Sequence, residues 1–290
     1  MKRINRIIEL LEQDQPVYYV STEDITYENG LTLSKTWGDY IRLDLHHGPL
    51  DLNGVRSFMK GLVAGGPTET GHRTVPVIVE LPTDGTNELV MRSNAWMIRQ
   101  LLACGVHGLL LCHAENPEAV RVLVETSRFG FQTIGVGKYL EVGRRGSHPQ
   151  DFAAGIWGIS ADDYVHRADV WPLNPDGELL LGIKMENKRA LANAELTSRV
   201  PGVCFGEWGF ADMSMVYGYS KKPEFPLPDE LQKIKDYVWS LCRKAEIHFL
   251  CIVTEDDVYE HIDKGLRFCR AYDPRIAEMG RKYTHRRIPW

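Results

Sequence analysis

The sequence has no apolar run long enough to cross a membrane and no block of charges of one sign. A membrane-spanning helix needs about 18 consecutive apolar residues, and no stretch of the chain approaches that length. The formal net charge of -5 disfavours a nucleic-acid or anionic-membrane partner. Acidic residues interrupt the amino-terminal segment, which therefore does not resemble a signal peptide. We expect a cytoplasmic protein with no nucleic-acid or membrane partner.

Cysteine is scarce, and its spacing indicates neither a zinc site nor a disulfide framework. The six cysteines lie mostly in apolar segments, and no CxxC pair occurs. We expect buried, reduced thiols, as in a cytosolic protein. A glycine-rich phosphate loop is also missing, because the GxG at Gly135 and Gly137 lacks a third glycine and a following helix. The case for a dinucleotide site is therefore weak.

Short apolar runs alternate with longer segments of helical periodicity. The runs predict eight strands, at 17–21, 40–45, 76–81, 108–112, 179–185, 203–208, 247–253 and 266–271. Helices are predicted at the amino terminus and at 55–63, 94–103, 116–128, 188–199, 228–245 and 255–264. Continuous apolar strands, each followed by a helix, are typical of parallel strands buried on both faces. Eight such units predict an α/β fold of the (β/α)8 TIM-barrel type, which needs about 250 residues.

Residues 1–290 are predicted to form a single barrel domain with an amino-terminal helix. Segment 130–178 is rich in glycine, tryptophan and charge and fits no strand–helix unit. We interpret it as a long loop or helical excursion over the barrel mouth and not as a second domain. Two helix starts are also indicated: Asp51 is a candidate cap, and Pro228 suits the beginning of a late helix.

Ionisable residues follow three predicted strands where each strand gives way to a loop. The second strand reaches Asp44, just before His46 and His47; the fifth is followed by Glu186 and the sixth by Asp212. In a TIM barrel the active site lies at these carboxyl ends. Two carboxylates on adjacent strands would point into one mouth, and oxygen ligands with open positions favour magnesium, manganese or cobalt. Glu186 and Asp212 are therefore candidate metal ligands.

Each of these residues also has an ordinary structural interpretation. Asp212 could cap a helix that begins near Met213, and Glu186 could simply begin a helix. The occurrence of both at successive strand ends favours the metal site. Asp44 could orient the imidazole of His47 as a general base, although a lone histidine near a strand end is more often structural. Because His46 and His47 are adjacent, we expect only one of them to face the site.

Together these segments resemble the HpcH/HpaI family, the class II pyruvate aldolases typified by dihydroxyheptenedioate aldolase. The resemblance covers most of residues 1–272. It is carried by segments that match family patterns: 186–193 (E-T-x-x-A-x-x-N), 200–203 (P-G-V), 209–214 (G-P-x-D-L-S), 44–51 (D-x-E-H-x-P-x-D) and 265–268 (G-F-R-F). The first three occur at nearly the spacing that the family has.

The resemblance implies a barrel enzyme that binds Mg, Mn or Co through Glu186 and Asp212. The implied substrate is a 4-hydroxy-2-oxoacid that chelates the metal. Backbone amides near Gly209, Ala211 and Asp212 would hold the substrate carboxylate. The metal would stabilise the enolate that forms when the carbon–carbon bond breaks.

The resemblance also assigns a base and an assembly. The residue matching His47, held by Asp44, would help to remove the proton from the 4-hydroxyl group, and the products would be an aldehyde and a pyruvate-type enolate. The same chemistry in reverse is an aldol addition. Family members exchange a carboxyl-terminal helix between subunits, which implies a homo-oligomer, a hexamer or trimer of dimers.

Three positions depart from the family pattern. Glu80 stands where the family has an enolate-stabilising arginine, Lys184 replaces a frequent glutamine, and His113 lies in an altered fourth strand end. Glu80 and Lys184 could compensate each other across the mouth, with Lys184 supplying the missing positive charge. Alternatively, Glu80 is an extra base or binds a hydroxyl or amine of an unusual substrate. His113 either adds a titratable group that binds substrate or packs under a loop.

These departures leave three functions open. The first is retro-aldol cleavage or aldol addition of a 2-oxoacid. The second is a related metal-enolate lyase or decarboxylase acting on a non-pyruvate substrate, and a CoA-ester lyase fits less well because the segment Ala211–Ser214 follows the aldolases. The third is a catalytically silent homologue that binds a metal and a ligand. Retention of Asp44, His47, Glu186 and Asp212 favours an active enzyme.

Overall fold

A closed parallel sheet forms the centre of the protein in the computed structural model, which describes residues 2–147 and 150–286. The strands are β1 (Val17–Thr22), β2 (Tyr40–Asp44), β3 (Val77–Asp84), β4 (Gly108–Cys112), β5 (Val170–Trp171), β6 (Leu179–Met185), β7 (Phe205–Trp208), β8 (His248–Ile252) and β9 (Phe268–Arg270). Pairing of β4 with β6 and of β1 with β9 closes eight of them into a ring. The short β5 pairs only with β6. The predicted eight strands and the TIM barrel are confirmed.

Helices follow the strands and surround the barrel. They are α1 (Arg6–Glu12), α2 (Tyr27–Leu33), α3 (Leu52–Ala64), α4 (Glu88–Ala103), α5 (Pro117–Ser127), α6 (Gln150–Trp157), α7 (Ala161–Arg167), α8 (Lys188–Ser198), α9 (Phe210–Val216), α10 (Asp229–Lys244), α11 (Val258–Asp263) and α12 (Pro274–Tyr283). The Asp51 side chain caps α3 by accepting a hydrogen bond from the Gly54 N–H, as predicted. Pro228 immediately precedes α10, also as predicted.

The barrel interior is apolar in its lower part and charged nearer the mouth. Aromatic side chains fill the lower part, where the rings of Phe205 and Phe268 stack with centroids 4.4 Å apart. Buried aliphatic residues such as Ile78, Leu110 and Leu180 complete this layer. Four charged side chains lie further along the same strands, toward their carboxyl ends. The apolar layer closes the bore, so any ligand must enter from the mouth.

The excursion is not where the sequence analysis expected it. Within segment 130–178, α6 packs against α3 and α4. The indole of Trp157 stacks on His107, which precedes β4, and donates a hydrogen bond to the Gly105 carbonyl. These contacts lie at the amino-terminal ends of the strands, so the predicted position over the mouth is wrong. Because the segment has no periodic apolar pattern, its sequence does not indicate which end of the barrel it packs against. Residues 148–149 lie outside the part of the chain that the structure describes.

Two further expectations concern the thiols and the membrane. All six cysteines are buried and unpaired, as predicted. Burial raises the pKa of the Cys204 and Cys251 thiols, which disfavours reactive thiolates there. Among the described residues, no helix has both the length and the apolar character that crossing a bilayer requires.

Candidate active site

A polar cavity of about 290 Å³ opens at the carboxyl ends of the strands. Six residues singled out in the sequence line it: Asp44, His47, Lys184, Gly209, Ala211 and Asp212. The chain thus brings together residues from β2, β6 and the β7–α9 junction. The volume lies at the lower end of the range of about 300–1,000 Å³ for ligand sites, which fits a small substrate.

Glu186 is fully buried beside this cavity, directly after β6. Its Oε1 accepts a 2.8 Å hydrogen bond from the His113 N–H, whereas Oε2 accepts none and lies 3.3 Å from the Lys184 Nζ. Burial raises the pKa of Glu186, and the nearby charge of Asp212 raises it further. The Lys184 ammonium and the His113 N–H oppose this shift. A divalent cation at this position would offset both carboxylates.

The structure agrees with neither ordinary interpretation, because Asp212 does not cap a helix and α8 begins only after Glu186. Asn187 caps α8 through hydrogen bonds from the N–H groups of Arg189 and Ala190. Gly209 precedes α9, which has no side-chain cap, and Asp212 lies within its first turn. Both carboxylates therefore remain available to a ligand.

Gly209 permits the close approach of the two strand ends. A Cβ atom there would lie 2.4 Å from Glu186 Oε2 and 2.2 Å from Glu186 Cβ. Such distances are impossible without displacement of the glutamate. The glycine that precedes α9 is thus a steric condition for the position of Glu186.

Asp44 and His47 form the predicted pair at the rim. The Asp44 Oδ2 lies 2.8 Å from the His47 Nδ1, and Oδ1 accepts hydrogen bonds from the N–H groups of His46 and His47. With its Nδ1–H donated to Asp44, the exposed imidazole has Nε2 free to accept a proton. His46 turns away, with its Nε2 3.1 Å from an Asp84 Oδ1, so only one of the two histidines lines the cavity.

His113 and Glu80 do not line the cavity, in contrast to their expected roles as substrate ligand and base. The backbone of His113 has a φ of 45° and aims its N–H at Glu186. Its ring Nδ1 accepts a 2.9 Å hydrogen bond from the Asn187 amide, whose oxygen is occupied in capping α8. His113 therefore positions the Glu186 carboxylate through its backbone N–H. It does so in a backbone conformation that few non-glycine residues adopt.

Four buried charges form a layer across the bore beneath the cavity. Lys184 contacts Glu80, and Arg42 lies 3.1 Å from Glu80 Oε2 and 3.0 Å from Glu207 Oε2. Arg42 thus reaches a glutamate on the opposite side of the barrel, and Lys184 reaches one that is two strands away in the ring. The predicted compensation between Glu80 and Lys184 is a direct contact. We call Arg42, Glu80, Lys184 and Glu207 the charge layer.

The charge layer fixes the ionisation of its members. Burial alone would raise the pKa of Glu80, but Arg42 and Lys184 outweigh it and hold the pKa at about 2. Burial would lower the pKa of Lys184, yet Glu207, Glu80 and Glu186 keep it above its usual value. Glu80 is therefore an ionised carboxylate with a cation beside each oxygen, and a poor proton acceptor. Lys184 is a charged ammonium and not a neutral nucleophile.

Sequence analysis missed Arg42, Glu207, Lys222 and Arg270, which all line the cavity. Glu207 is the only charged residue of β7, and Arg42 has apolar or aromatic neighbours on both sides within β2. That isolation is a usable signal, since a charge on a strand buried on both faces needs a partner. Arg42 also lies two residues before Asp44, on the same face of β2.

Three groups in the described residues have potential ligand atoms within 4.8 Å of one another. They are His46, Asp84 and His113; His46, Glu80 and Cys112; and Asp44, His47 and Glu80. In each group at least one member already contacts another charged side chain, as Glu80 does in the charge layer. Glu186 and Asp212 fit a hard cation better, because Glu186 Oε2 is buried and accepts no hydrogen bond.

No family model matches the sequence. A curated relative from Deinococcus radiodurans, named hydroxypyruvate/pyruvate aldolase, is 28% identical over 182 residues. The match covers 62% of this chain and 53% of the relative, so the chain spans about half the length of the relative it matches.

Solved structures resemble the protein over nearly its full length. An HpcH/HpaI aldolase/citrate lyase family protein from Burkholderia cenocepacia J2315 superposes with a TM-score of 0.71 at 18% identity, covering 97% of this chain and 98% of the other. The citrate lyase beta subunit from M. tuberculosis, complexed with oxaloacetate and magnesium, gives 0.54 at 12% identity and covers 93% and 96%. The chain thus resembles the HpcH/HpaI aldolase/citrate lyase proteins and has their barrel fold.

Proposed function

We propose that the protein is a metal-dependent carbon–carbon lyase that cleaves a 4-hydroxy-2-oxoacid to an aldehyde and a pyruvate-type enolate, or joins them. The observation that carries the proposal is the buried, incompletely bonded carboxylate of Glu186 next to Asp212, at the edge of a cavity that also holds the Asp44–His47 pair. The curated relative's name, hydroxypyruvate/pyruvate aldolase, supports the same chemistry.

The proposed cofactor is magnesium, manganese or cobalt, held by Glu186 and Asp212. Magnesium is present in two structural neighbours, one of which is the citrate lyase beta subunit. When bound, such an ion supplies Lewis-acid stabilisation of the enolate charge. The first turn of α9, which has no side-chain cap, offers the N–H groups of Ala211 and Asp212 to the substrate carboxylate.

His47 acts as the base in this proposal. Its Nε2 accepts the proton of the 4-hydroxyl group while Asp44 holds the Nδ1–H. The C3–C4 bond then breaks, the aldehyde forms at C4, and the bonding electrons pass into the enolate. Lys184 and Arg42, in the charge layer at the cavity floor, provide positive charge near the developing anion. In the direction of synthesis, the same groups act in reverse.

The resemblance also supports proposals on assembly and location. We propose a homo-oligomer, a hexamer or trimer of dimers, in the cytoplasm, with a 2-oxoacid and an aldehyde as small-molecule partners.

Deuterium exchange into the methyl group of pyruvate, followed by proton NMR, tests the function without knowledge of the aldehyde. We expect exchange in D₂O with magnesium, manganese or cobalt, and none after addition of a chelator or in Glu186→Ala. The matched control is Glu195→Ala, because Glu195 is an exposed residue on α8 that pairs with Arg199.

A folded, metal-loaded protein that leaves pyruvate unexchanged would exclude pyruvate as the donor and favour another enolate substrate. Full exchange by Glu186→Ala would overturn the metal assignment. Circular dichroism of both variants separates loss of the site from loss of the fold.

A further inference from the structure

A second cavity, of about 540 Å³, lies outside the barrel. It is lined by the first two turns of α3, the second half of α4 and the connection from α5 to α6, and no strand in the described ranges contributes. None of these lining residues belongs to the candidate active site. The volume falls within the range of about 300–1,000 Å³ for small-molecule sites, so the cavity can hold a ligand of its own.

The charged side chains that line this cavity are all cationic. They are Arg56, Arg99 and Arg145, and no carboxylate of the described residues joins them. The guanidinium carbon of Arg56 lies 3.7 Å from the ring centroid of Phe152, a contact that does not use its N–H donors. Arg99 forms no hydrogen bond or ion pair with any residue of the described ranges. Three positive charges at the wall of one cavity are suited to an anionic ligand.

Arg145 is only 8% exposed, yet its contacts are all with uncharged groups. Its Nη2 donates a 2.9 Å hydrogen bond to the Tyr164 hydroxyl, and its Nη1 lies 3.5 Å from the Ser127 carbonyl oxygen. Its guanidinium carbon lies 4.2 Å from the ring centroid of Phe129. These contacts fix the guanidinium at the cavity wall without neutralising its charge.

The buried carboxylates close to Arg145 in the fold are paired with other arginines. Glu125 is bonded to Arg121, and Asp169 accepts two hydrogen bonds from Arg128. Neither forms an ion pair with Arg145. A buried cation without a counter-charge is costly, and an anion in the cavity would remove that cost.

The uncharged part of the lining includes an exposed aromatic ring. Trp96 lies on α4, one turn before Arg99, and its side chain is 43% exposed. An indole at a cavity wall offers a face on which a planar ring can stack. Nucleic-acid bases stack on aromatic side chains in this way, whatever their sequence. The lining therefore matches a ligand with a planar ring and an anionic group.

We propose that this cavity binds a nucleoside monophosphate, with the phosphate held by its arginines and the base stacked on Trp96. A phosphate monoester carries a charge of about −1.5 to −2 at pH 7 and has three acceptor oxygens, so it can bond to more than one guanidinium. A single carboxylate has less charge to set against three arginines. The site is separate from the barrel mouth and does not depend on the proposed lyase function.

Isothermal titration calorimetry of the full chain with AMP and with CMP tests the proposal, because the two nucleotides present a purine and a pyrimidine. We expect saturable binding of at least one of them. The matching nucleoside lacks the anion and ribose 5-phosphate lacks the ring, so each should bind at least tenfold more weakly. A nucleoside or ribose 5-phosphate that binds as tightly as the nucleotide would overturn the proposal, as would no saturable nucleotide binding up to about 1 mM.

Variants then locate the bound nucleotide. Arg99→Gln and Trp96→Ala should each weaken nucleotide binding at least tenfold, and both side chains are partly exposed, so the fold should survive. The matched control is Arg92→Gln, because Arg92 lies on the same helix, pairs with Glu88 and does not line the cavity. Circular dichroism confirms that each variant is folded. Nucleotide binding that Arg99→Gln and Trp96→Ala leave unchanged would lie elsewhere on the protein and would refute the site.

Discussion

At the scale of single residues, adjacent side chains have different environments. His47 lines the cavity and is exposed, whereas His46 lies against Asp84. Hydrogen bonding to Asp84 raises the pKa of His46, so this imidazole remains protonated to higher pH than usual. An imidazole that is protonated and hydrogen-bonded to a carboxylate is poorly suited to accept a proton from substrate. The two histidines thus provide an internal comparison.

Replacing His47 by Gln should slow cleavage by roughly 10²–10⁴-fold, the usual contribution of a general base. Replacing His46 by Gln should cost far less, because its side chain lies outside the cavity. Steady-state kinetics of both variants on one 4-hydroxy-2-oxoacid checks this, with metal affinity measured alongside. Equal losses in the two variants would contradict the assignment of His47 as the base.

At the scale of secondary-structure elements, the sequence predicted the elements much better than their contacts. Apolar runs specify buried parallel strands by themselves, and all eight were predicted correctly. The carboxylates at the ends of β6 and β7 could be predicted to converge, since parallel strands end at one face. The contact of Arg42 with Glu207 could not be predicted, because it crosses the bore and depends on the register around the closed ring. The placement of α6 was missed because no periodicity fixes how an irregular segment attaches.

The junction between β7 and α9 provides a test at this scale. Gly209→Ala would press a methyl group against Glu186 and displace its carboxylate. We expect metal affinity to fall about 10–100-fold, as when the support of a ligand is altered. Gly155→Ala is the control, because a Cβ at that helical position meets nothing within 4 Å. Manganese titration followed by EPR measures both, and unchanged affinity in Gly209→Ala would argue against Glu186 as a ligand.

At the scale of the whole molecule, the charge layer couples stability to pH. Because the pKa of Glu80 is held near 2, below the usual value of 4.5, its contribution is present above about pH 4.5 and is lost as the pH falls toward 2. By the size of that shift, Glu80 contributes roughly 3 kcal/mol to the free energy of unfolding at neutral pH.

Urea unfolding at pH 7 and at pH 3 tests this. Glu80→Gln should lower the free energy of unfolding at pH 7 by about 3 kcal/mol and by less at pH 3. Adding Lys184→Met should recover part of the loss, because the second substitution removes an ammonium that has lost a partner. The control is Glu260→Gln, an exposed glutamate paired with Lys264 on α11. A loss in Glu80→Gln that is the same at both pH values would contradict the role of its charge.

The charge layer also constrains how this sequence can evolve. A single substitution in the charge layer leaves a buried charge without its partner. We therefore expect selection against such a substitution at Arg42, Glu80, Lys184 or Glu207, even if the cavity above keeps its shape. Drift there has to proceed by reciprocal replacement, with an acid and a base changing together. We therefore expect homologues with another residue at position 80 to differ at its partner positions as well, so that the four positions vary as one set.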